Sequence, residues 1–306
     1  MLGVHAALWA ILPAVPAVPA VPRLQRIGCD PPRMNVVDVM PFWDNNFYTV
    51  QPTFEVRDWA AARPLMAEYL DKVRTERGAM YCGWTISGDM LCCREGFHDA
   101  DAVIAHMANV QPVLDQLLAN AATLCTMEVH GPASGLKTCQ GALESLEARY
   151  FEIDSGCTFL VRPYAGMSRG QSHFSLHPTF KVVDWDAVRP VLDESIESMR
   201  LTSGCVFYGW TRRGDTLFGR HAFLNADGVR RHLASTDALV ASLVSSGAVT
   251  LTSVSVHGPP TRLGEVKAAL HDYHGLTPQY FAIDSGFQKF ECSGFNLGML
   301  DYNKFD

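Results

Sequence analysis

The chain has 306 residues, of which 48% are hydrophobic and 19% charged, and its formal net charge at pH 7 is −7. This composition is typical of a globular protein, and domains of roughly 100–200 residues would divide the chain into two. The negative charge and the lack of a lysine and arginine stripe argue against nucleic-acid binding. No apolar run reaches the roughly 20 residues needed to cross a bilayer.

Residues 1–40 form a leader that is rich in proline and alanine. Its apolar stretch contains Pro13, Pro16 and Pro19 at intervals of three residues. This spacing favours an extended polyproline-like conformation over a helix. We expect an unstructured leader and a cytoplasmic protein. A signal or transit peptide is the alternative, although no positively charged region precedes the apolar stretch.

The strongest signal is an internal duplication. Ungapped alignment of residues 51–97 with 177–223 gives about 20 identities in 47 positions. The match continues after small insertions, where His130 and His257 each precede Gly-Pro. Repeats longer than 100 residues are globular units and not a solenoid. The predicted organisation is a leader at 1–40, a first repeat at 41–156, a linker at 157–171, a second repeat at 172–286 and a tail at 287–306.

Each repeat begins with a strand and an amphipathic helix. In the first repeat Asp58 is a predicted N-cap, and apolar residues follow from Trp59 at helical spacing. Pro64 should distort the first turn, and Gly78 should end the helix. The rest of the repeat is predicted as a hairpin (Ala79–Ile86 and Met90–Phe97), a helix opened by Asp99, a strand (Leu124–His130), a short helix (Leu136–Leu146) and a final strand (Tyr150–Ile153).

The predicted order β-α-β-β-α-β, with an extra helix and strand, is that of a ferredoxin-like unit. Helices cover one face of such a sheet, and the other face needs a partner. We therefore predict an α+β protein in which two ferredoxin-like βαββαβ repeats are fused in tandem. Their sheets should pack face to face as one pseudo-two-fold α/β barrel.

Three features of the first repeat carry a family resemblance: residues 81–84 (Tyr-Cys-Gly-Trp), residues 94–97 (Arg-Glu-Gly-Phe), and His106 on the next helix. The chain resembles the dimeric α/β barrel superfamily and, within it, the antibiotic biosynthesis monooxygenase domain. The second repeat retains the glycine, tryptophan and helical histidine but carries His221 in place of Glu95.

The resemblance covers about 47–156 and 173–286, and the fused pair implies a monomer in which two repeats replace a homodimer. It implies a cofactor-independent monooxygenase that uses O2 on a small aromatic such as a quinol or polyketide. The superfamily also includes haem-degrading enzymes, cyclases and proteins of no known reaction. The alternatives are therefore a non-catalytic module that binds a small hydrophobic ligand, and haem binding or degradation through His106 or His232.

Four titratable residues are candidate catalytic groups. His106 and His232 lie at the border of an apolar helix face and would accept the substrate proton or ligate haem. Glu95 and His221 lie on a strand with apolar neighbours, where burial would favour their neutral forms and suit acid-base work. The structural alternative for the two helical histidines is that they are hydrogen-bonded and partly buried. For Glu95 and His221 it is an ordinary salt bridge.

Further candidates would bind the substrate. Trp84 and Trp210 would stack on a planar ligand, unless they are core residues. Arg94 and Arg220 would anchor a phenolate, unless each pairs with a carboxylate. Tyr81 would bond to a substrate hydroxyl, but the second repeat has phenylalanine there.

The hairpin register decides which of these residues share a face. A two-residue loop at Ser87-Gly88 puts Trp84 opposite Leu91, on the side of Glu95, and a three-residue loop puts it on the side of Arg94. His130 and His257 stand at predicted strand ends, where turn geometry is the first interpretation and a pocket rim the second. Differences such as Glu95 against His221 suggest that one of the two pockets is specialised or inactive.

The chain has nine cysteines, an odd number, and no C-x-x-C motif. We expect buried free thiols, with a disulfide framework as the alternative. The closely spaced paired ligands of a zinc motif are absent, so the sequence predicts no metal site. Nucleotide-binding fingerprints and serine-nucleophile motifs are also absent.

Overall fold

A computed structural model describes residues 46–161, 173–200, 202–289 and 291–292. All of them belong to one compact unit, residues 39–306. The predicted leader lies outside the described residues, as do residues 162–171 of the predicted linker.

The same order of elements occurs in two halves of the chain, residues 48–158 and 174–288. In the first half it is β1 (Tyr48–Val56), α1 (Trp59–Thr75), β2 (Ala79–Ser87), β3 (Met90–Phe97), α2 (Ala100–Asn120), β4 (Ala122–Gly131), α3 (Ala133–Leu143), a 3-10 turn (Glu144–Leu146) and β5 (Arg149–Thr158). The short β6 (Leu160–Val161) follows.

The second half consists of β7 (Phe174–Val182), α4 (Trp185–Arg200), β8 (Cys205–Arg213), β9 (Thr216–Phe223), α5 (Ala226–Ser245), β10 (Val249–Gly258), α6 (Leu263–Ala269) and β11 (Gln279–Gln288). The short β12 (Glu291–Cys292) pairs with β6.

Ten strands form one closed, mixed barrel in the order β1-β3-β2-β11-β10-β7-β9-β8-β5-β4, and β4 pairs with β1 to close it. The last strand of each half joins the two halves. β5 lies parallel to β4 and antiparallel to β8, and β11 lies parallel to β10 and antiparallel to β2. The strands of the two halves are thus hydrogen-bonded into one closed sheet, which leaves no open edge in the barrel.

The first helix begins as predicted but ends earlier. The Asp58 carboxylate accepts hydrogen bonds from the backbone N–H groups of Ala60 (2.9 Å) and Ala61 (3.1 Å), so it caps α1. The chain leaves the helix at Glu76, which has extended backbone angles, and not at Gly78. At Gly78 a Cβ would lie only 2.2 Å from the Cβ of Ala102. A glycine is therefore required at position 78 because α2 packs closely against it, and not because α1 ends there in a left-handed conformation.

Each half buries an apolar core between its helices and the outer face of the barrel. Phe54, Met66 and Leu114 are buried in the first core, and Phe180 and Leu192 in the second. Because helices cover only the outer face, the inner face can carry polar side chains without disturbing either core.

The seven cysteines whose side chains are described are all free. Six are buried, as the sequence predicts, and Cys125 is exposed. Among the described helices, none is both long enough and apolar enough to span a membrane.

Candidate functional site

Strand alternation divides the candidate residues between two faces of the barrel. The β2–β3 hairpin turns in a two-residue loop and pairs Trp84 with Cys93. Since successive side chains point to opposite faces, Trp84 shares the helix-facing side with Glu95, and Arg94 points into the barrel. The second half has the same register.

On the helix-facing side of the first half, His106 is held by three polar neighbours. Its Nδ1 lies 3.1 Å from Glu76 Oε2, and its Nε2 lies 3.0 Å from the Tyr69 hydroxyl and 3.4 Å from Glu95 Oε2. His106 and Glu95 are both fully buried.

These contacts decide the charge of His106. Burial by itself lowers the pKa of the imidazole, but the neighbouring carboxylates of Glu95 and Glu76 outweigh it and raise the pKa to about 9. At neutral pH His106 is therefore an imidazolium between two carboxylates. In that state it has no lone pair with which to accept a proton.

Two thiols extend this cluster. Cys82 Sγ lies 3.8 Å from Cys93 Sγ and 3.4 Å from Glu95 Oε1. Burial raises the pKa of Cys82 to about 12 and that of Cys93 well above its ordinary value. Thiol and carboxylate donors of this kind are ligands that proteins use to hold metal ions. Cys82 and Cys93 are eleven positions apart in the sequence, so their proximity cannot be recognised there.

The corresponding positions in the second half carry His221 and His232. Their ring centroids lie 5.1 Å apart, and the His221 ring stacks on Tyr208 at 4.0 Å. Burial lowers the pKa of His232 to about 3, and burial next to His232 holds the pKa of His221 well below its ordinary value. Both imidazoles are therefore neutral at pH 7. Within the described parts of the chain, His232 Nε2 and both nitrogens of His221 have no hydrogen-bond partner.

Thr236 determines the tautomer of His232. The Thr236 hydroxyl donates to the backbone carbonyl of His232 (2.9 Å) and lies 3.3 Å from its Nδ1. Because the hydroxyl proton is already used, we assign the imidazole proton to Nδ1, which donates to Thr236. The lone pair of His232 is then on Nε2.

A cavity lies between the sheet and helices α4 and α5. Neither histidine lines it, but Tyr208 of its wall stacks on His221, and Thr236 of its wall lies 3.3 Å from His232 Nδ1. Ser195, Tyr208, Trp210 and Thr236 contribute to a wall that is otherwise apolar. Its volume is about 20 Å³, measured as the space open to the centre of a water molecule. That is room for about one water molecule. A larger ligand therefore requires side chains or helices to move.

The two predicted stacking tryptophans have different surroundings. Trp84 Nε1 donates to the Met66 carbonyl (3.0 Å), and its ring packs edge to face on Tyr69 with centroids 5.1 Å apart. Trp210 Nε1 donates to Ser195 Oγ (3.2 Å), and its ring lines the cavity. Trp84 is thus packed within the first core, and Trp210 remains a candidate ligand contact.

Arg94 and Arg220 lie inside the barrel, away from the histidine clusters. Arg94 donates to Ser175 Oγ, and Arg220 donates to the Phe47 carbonyl (3.3 Å) with its guanidinium 4.3 Å above the Phe47 ring. Burial lowers the pKa of each arginine to about 10, and it raises that of the adjacent Tyr81 to about 12. The sheet separates these three residues from both tryptophans. Tyr81, Arg94 and Arg220 instead line a second cavity together, inside the barrel, with a volume of about 10 Å³.

His130 and His257 also lie inside the barrel, where each bonds to a threonine of the other half. His130 Nδ1 is 2.8 Å from Thr211 Oγ1, and His257 Nδ1 is 2.9 Å from Thr85 Oγ1. Burial holds the pKa of both histidines well below the ordinary value. Neither of the two expected roles, a turn or a pocket rim, describes these residues. They are cross-barrel contacts between the halves.

Three residues of the helix-facing sites do not appear among the sequence candidates: Tyr69, Ser195 and Tyr208. In the alignment Tyr69 corresponds to Ser195, and Cys82 to Tyr208. The aromatic ring is therefore supplied by the helix in the first half and by the strand in the second. These paired differences are visible in the sequence, but their proximity requires the three-dimensional fold.

No protein-family model matches the sequence, and neither does any curated protein. Similar solved structures exist. MupZ from Pseudomonas fluorescens is 27% identical, with 36% of this chain and 93% of that chain covered and a TM-score of 0.34. A "Putative monooxygenase" from Fusobacterium nucleatum is 10% identical, with 84% and 97% covered and a TM-score of 0.49.

An "anthrone oxidase-like protein" is 10% identical, with 84% of this chain and 98% of that chain covered and a TM-score of 0.36. All three TM-scores are below 0.5, so these likenesses carry no reaction or substrate over to the chain. The site itself has to supply that argument.

Proposed function

We propose that the second half of the chain binds a small phenolic aromatic, of quinol or polyketide type, and oxygenates it with O2 without a cofactor. His232 is the proton acceptor, and Trp210 contacts the ring of the substrate. The first half keeps the same framework with its site closed by its own side chains.

The observation that carries this proposal is the contact between Tyr69 and His106. In the first half a phenol lies edge to face on Trp84 and bonds through its hydroxyl to His106 Nε2, 3.0 Å away. In the second half Ser195 takes the place of that tyrosine, and the corresponding nitrogen of His232 has no partner among the described residues. Tyr69 thus indicates where a phenolic substrate would lie beside His232. The direction of the hydrogen bond is reversed, because charged His106 donates to the Tyr69 oxygen and neutral His232 would accept from the substrate hydroxyl.

The neutral state of His232 supports its role as the base. The low pKa reflects the cost of placing an isolated cation in an apolar site, and a phenolate formed beside it would offset that cost. Proton transfer from the substrate hydroxyl to Nε2 leaves an electron-rich anion that can reduce O2 directly. His106 cannot take this role while it is charged and bonded on both nitrogens.

The reaction transfers one oxygen atom to the substrate and releases the other as water. The phenolate passes an electron to O2, and the two radicals combine to form a carbon–oxygen bond. The imidazolium of His232 returns its proton to the peroxide. Cleavage of the O–O bond, with loss of hydrogen from the oxidised carbon, gives a quinone-type carbonyl and water. Exclusion of bulk water protects the intermediates.

Tyr208 controls access to this site in the proposal. Its ring lies against His221 and contributes to the cavity wall, between the open space and the two imidazoles. The cavity of about 20 Å³ does not hold an aromatic ring. Substrate binding therefore requires Tyr208 to rotate away from His221, with α4 and α5 moving apart.

The test is oxygen consumption by the purified chain with a panel of hydroquinones and anthrones and no added cofactor. Saturable uptake above the autoxidation rate is expected. His232→Gln should abolish it, and His106→Gln, the matched change in the first half, should retain it. Equal loss in both variants, with both folded by circular dichroism, would overturn the assignment to the second half.

A second candidate is a binding module, because the cavity wall is mostly apolar and carries no charged side chain. Such a module would retain an aromatic ligand through purification and release it chemically unchanged, with no oxygen uptake. The haem alternative predicts a Soret band on addition of hemin. Neither result is expected from the oxygenase.

We also propose that the chain works as a monomer built from two fused ferredoxin-like repeats. The closed order of its ten barrel strands supports this, because each strand already has two neighbours within the chain. Light scattering should then give the mass of one chain, 33.7 kDa. A mass of two chains would contradict it.

A further inference from the structure

Three buried donor atoms converge on the helix-facing side of the first half, at a place that the proposed oxygenase does not use. They are the Sγ atoms of Cys82 and Cys93 and a carboxylate oxygen of Glu95, all within 4.8 Å of one another. All three residues are completely buried. β2 and β3 supply them from one face of a single hairpin, so the backbone holds them in a fixed relation.

The distances agree with those in a tetrahedral zinc site. Zinc–sulfur bonds are about 2.3 Å long, so two thiolates at tetrahedral angles lie roughly 3.8 Å apart. The Cys82 and Cys93 sulfurs are 3.8 Å apart. A zinc–oxygen bond of about 2.0 Å puts a carboxylate oxygen roughly 3.5 Å from each sulfur. Glu95 Oε1 is 3.4 Å from Cys82 Sγ.

Glu95 is held in place by neighbouring side chains, as the ligands of metal ions usually are. His106 lies 3.4 Å from Glu95 Oε2, on the side away from the Cys82 sulfur. Glu76 bonds to the other nitrogen of His106 and accepts a hydrogen bond from Asn109 (2.8 Å). Such a chain of bonds fixes the orientation of a ligating carboxylate.

We propose that Cys82, Cys93 and Glu95 form a binding site for a divalent cation of the zinc class. Two thiolates favour a borderline-soft ion such as Zn²⁺ over Mg²⁺ or Ca²⁺, which prefer oxygen ligands only. On binding, both thiol protons leave to solvent and two metal–sulfur bonds form, with no change of oxidation state. Three protein ligands leave the fourth position for a water molecule.

The second half cannot form the same site. Its corresponding residues are Tyr208, Gly219 and His221, which include no thiol and no carboxylate. The proposal therefore predicts one ion per chain. Cys92 is the matched control, because it is the neighbour of Cys93 on β3 but points to the opposite face.

The experiment measures zinc in the full chain after growth in zinc-supplemented medium, with loosely bound metal removed by EDTA. Wild type and Cys92→Ser should retain one zinc ion per chain. Cys82→Ser and Cys93→Ser should lose it, with folding of each variant checked by circular dichroism. A wild type without zinc, or a Cys82→Ser variant that retains it, would overturn the proposal.

X-ray absorption of the zinc-loaded wild type provides a measurement that needs no variant. Two sulfur neighbours at about 2.3 Å are expected. A zinc ion coordinated only by nitrogen and oxygen would show that it is bound elsewhere, and the proposal would fail. Oxygen uptake by zinc-free protein is a separate readout, so either proposal can fail without the other.

Discussion

Tyr69 and Ser195 occupy equivalent positions on α1 and α4, and this exchange separates the two halves chemically. The Tyr69 phenol bonds to His106 and packs on Trp84. Ser195 instead accepts a hydrogen bond from Trp210 and leaves a cavity beside it. One half therefore encloses a phenol of its own, and the other has space near a neutral histidine.

The first prediction follows from that space. Ser195→Leu should lower kcat/KM for oxygen uptake by about tenfold or more, because even one misplaced methylene in an apolar pocket costs about 1–3 kcal/mol. Tyr69→Phe, the matched position in the first half, should leave kcat/KM unchanged. Steady-state kinetics of the two variants test this. An equal loss of kcat/KM in both variants would show that the active pocket does not belong to the second half alone.

The second prediction concerns two ion pairs that join the halves. Arg189 of α4 pairs with Asp154 of β5 (2.5 Å), with Arg212 3.6 Å from the same carboxylate, and Arg63 of α1 pairs with Asp284 of β11. The side chain of Asp154 is 3% exposed and that of Asp284 is 22% exposed.

Asp154→Asn should lower the free energy of unfolding by about 1–2 kcal/mol, and Asp284→Asn by about 0–1 kcal/mol, because solvent screens the more exposed pair. Guanidinium titration monitored by tryptophan fluorescence measures both values. A larger loss of unfolding free energy in Asp284→Asn than in Asp154→Asn would show that burial of the carboxylate does not decide how much each ion pair stabilises the protein.

The third prediction tests the cross-barrel bond of His130. Thr211→Val removes the partner of Nδ1, and within the described residues Nε2 already has no hydrogen bond. The variant should lose about 1–3 kcal/mol of unfolding free energy, the cost of a buried polar group without a partner. Thr138→Val, on the exposed surface of α3, should change it by less than about 0.5 kcal/mol. Similar losses in both variants would count against the bond.

The fourth prediction concerns acid. Burial lowers the pKa of His177 and His232 to about 3, so both imidazoles stay neutral in the folded protein. In the unfolded chain the same side chains take up protons near the ordinary histidine pKa of about 6.5. The unfolded state therefore binds more protons below that pH, and stability falls as the pH falls from about 6.5 towards 3. The same direction applies to four other buried histidines: His130, His173, His221 and His257.

Each of these histidines contributes at most about 1.4 kcal/mol per pH unit within that range. Guanidinium titrations at pH 7, 6 and 5 should give a steadily decreasing free energy of unfolding, and His177→Gln should reduce the slope. A constant free energy between pH 7 and pH 5 would contradict the buried neutral state.

Much of the architecture could be read from the sequence because it depends on local patterns that occur twice. The strand and helix order follows from periodicity around Phe54, Asp58 and their counterparts, since capping and amphipathic spacing act over a few residues. Where the prediction failed locally, at the end of α1, a tertiary contact between Gly78 and Ala102 was responsible.

The candidate site could be predicted only in part. The apolar periodicity of the helices put His106 and His232 at the border of a buried face, but the sequence left the hairpin register, and with it the side on which Trp84 lies, open between two values. A change of one residue in register moves every side chain to the other face. For that reason the sequence could not separate Arg94 from the tryptophans, and only the paired strands place it in a different cavity, inside the barrel.

The duplication, the order of the elements and the residue types of each half follow from local patterns in the chain. The approach of Cys82 and Cys93 to Glu95, the different charges of His106 and His232, and the cavity beside Ser195 appear only once the chain is folded. The physical reason is that charge and affinity depend on distance and burial across paired strands and packed helices, and linear spacing does not encode either quantity.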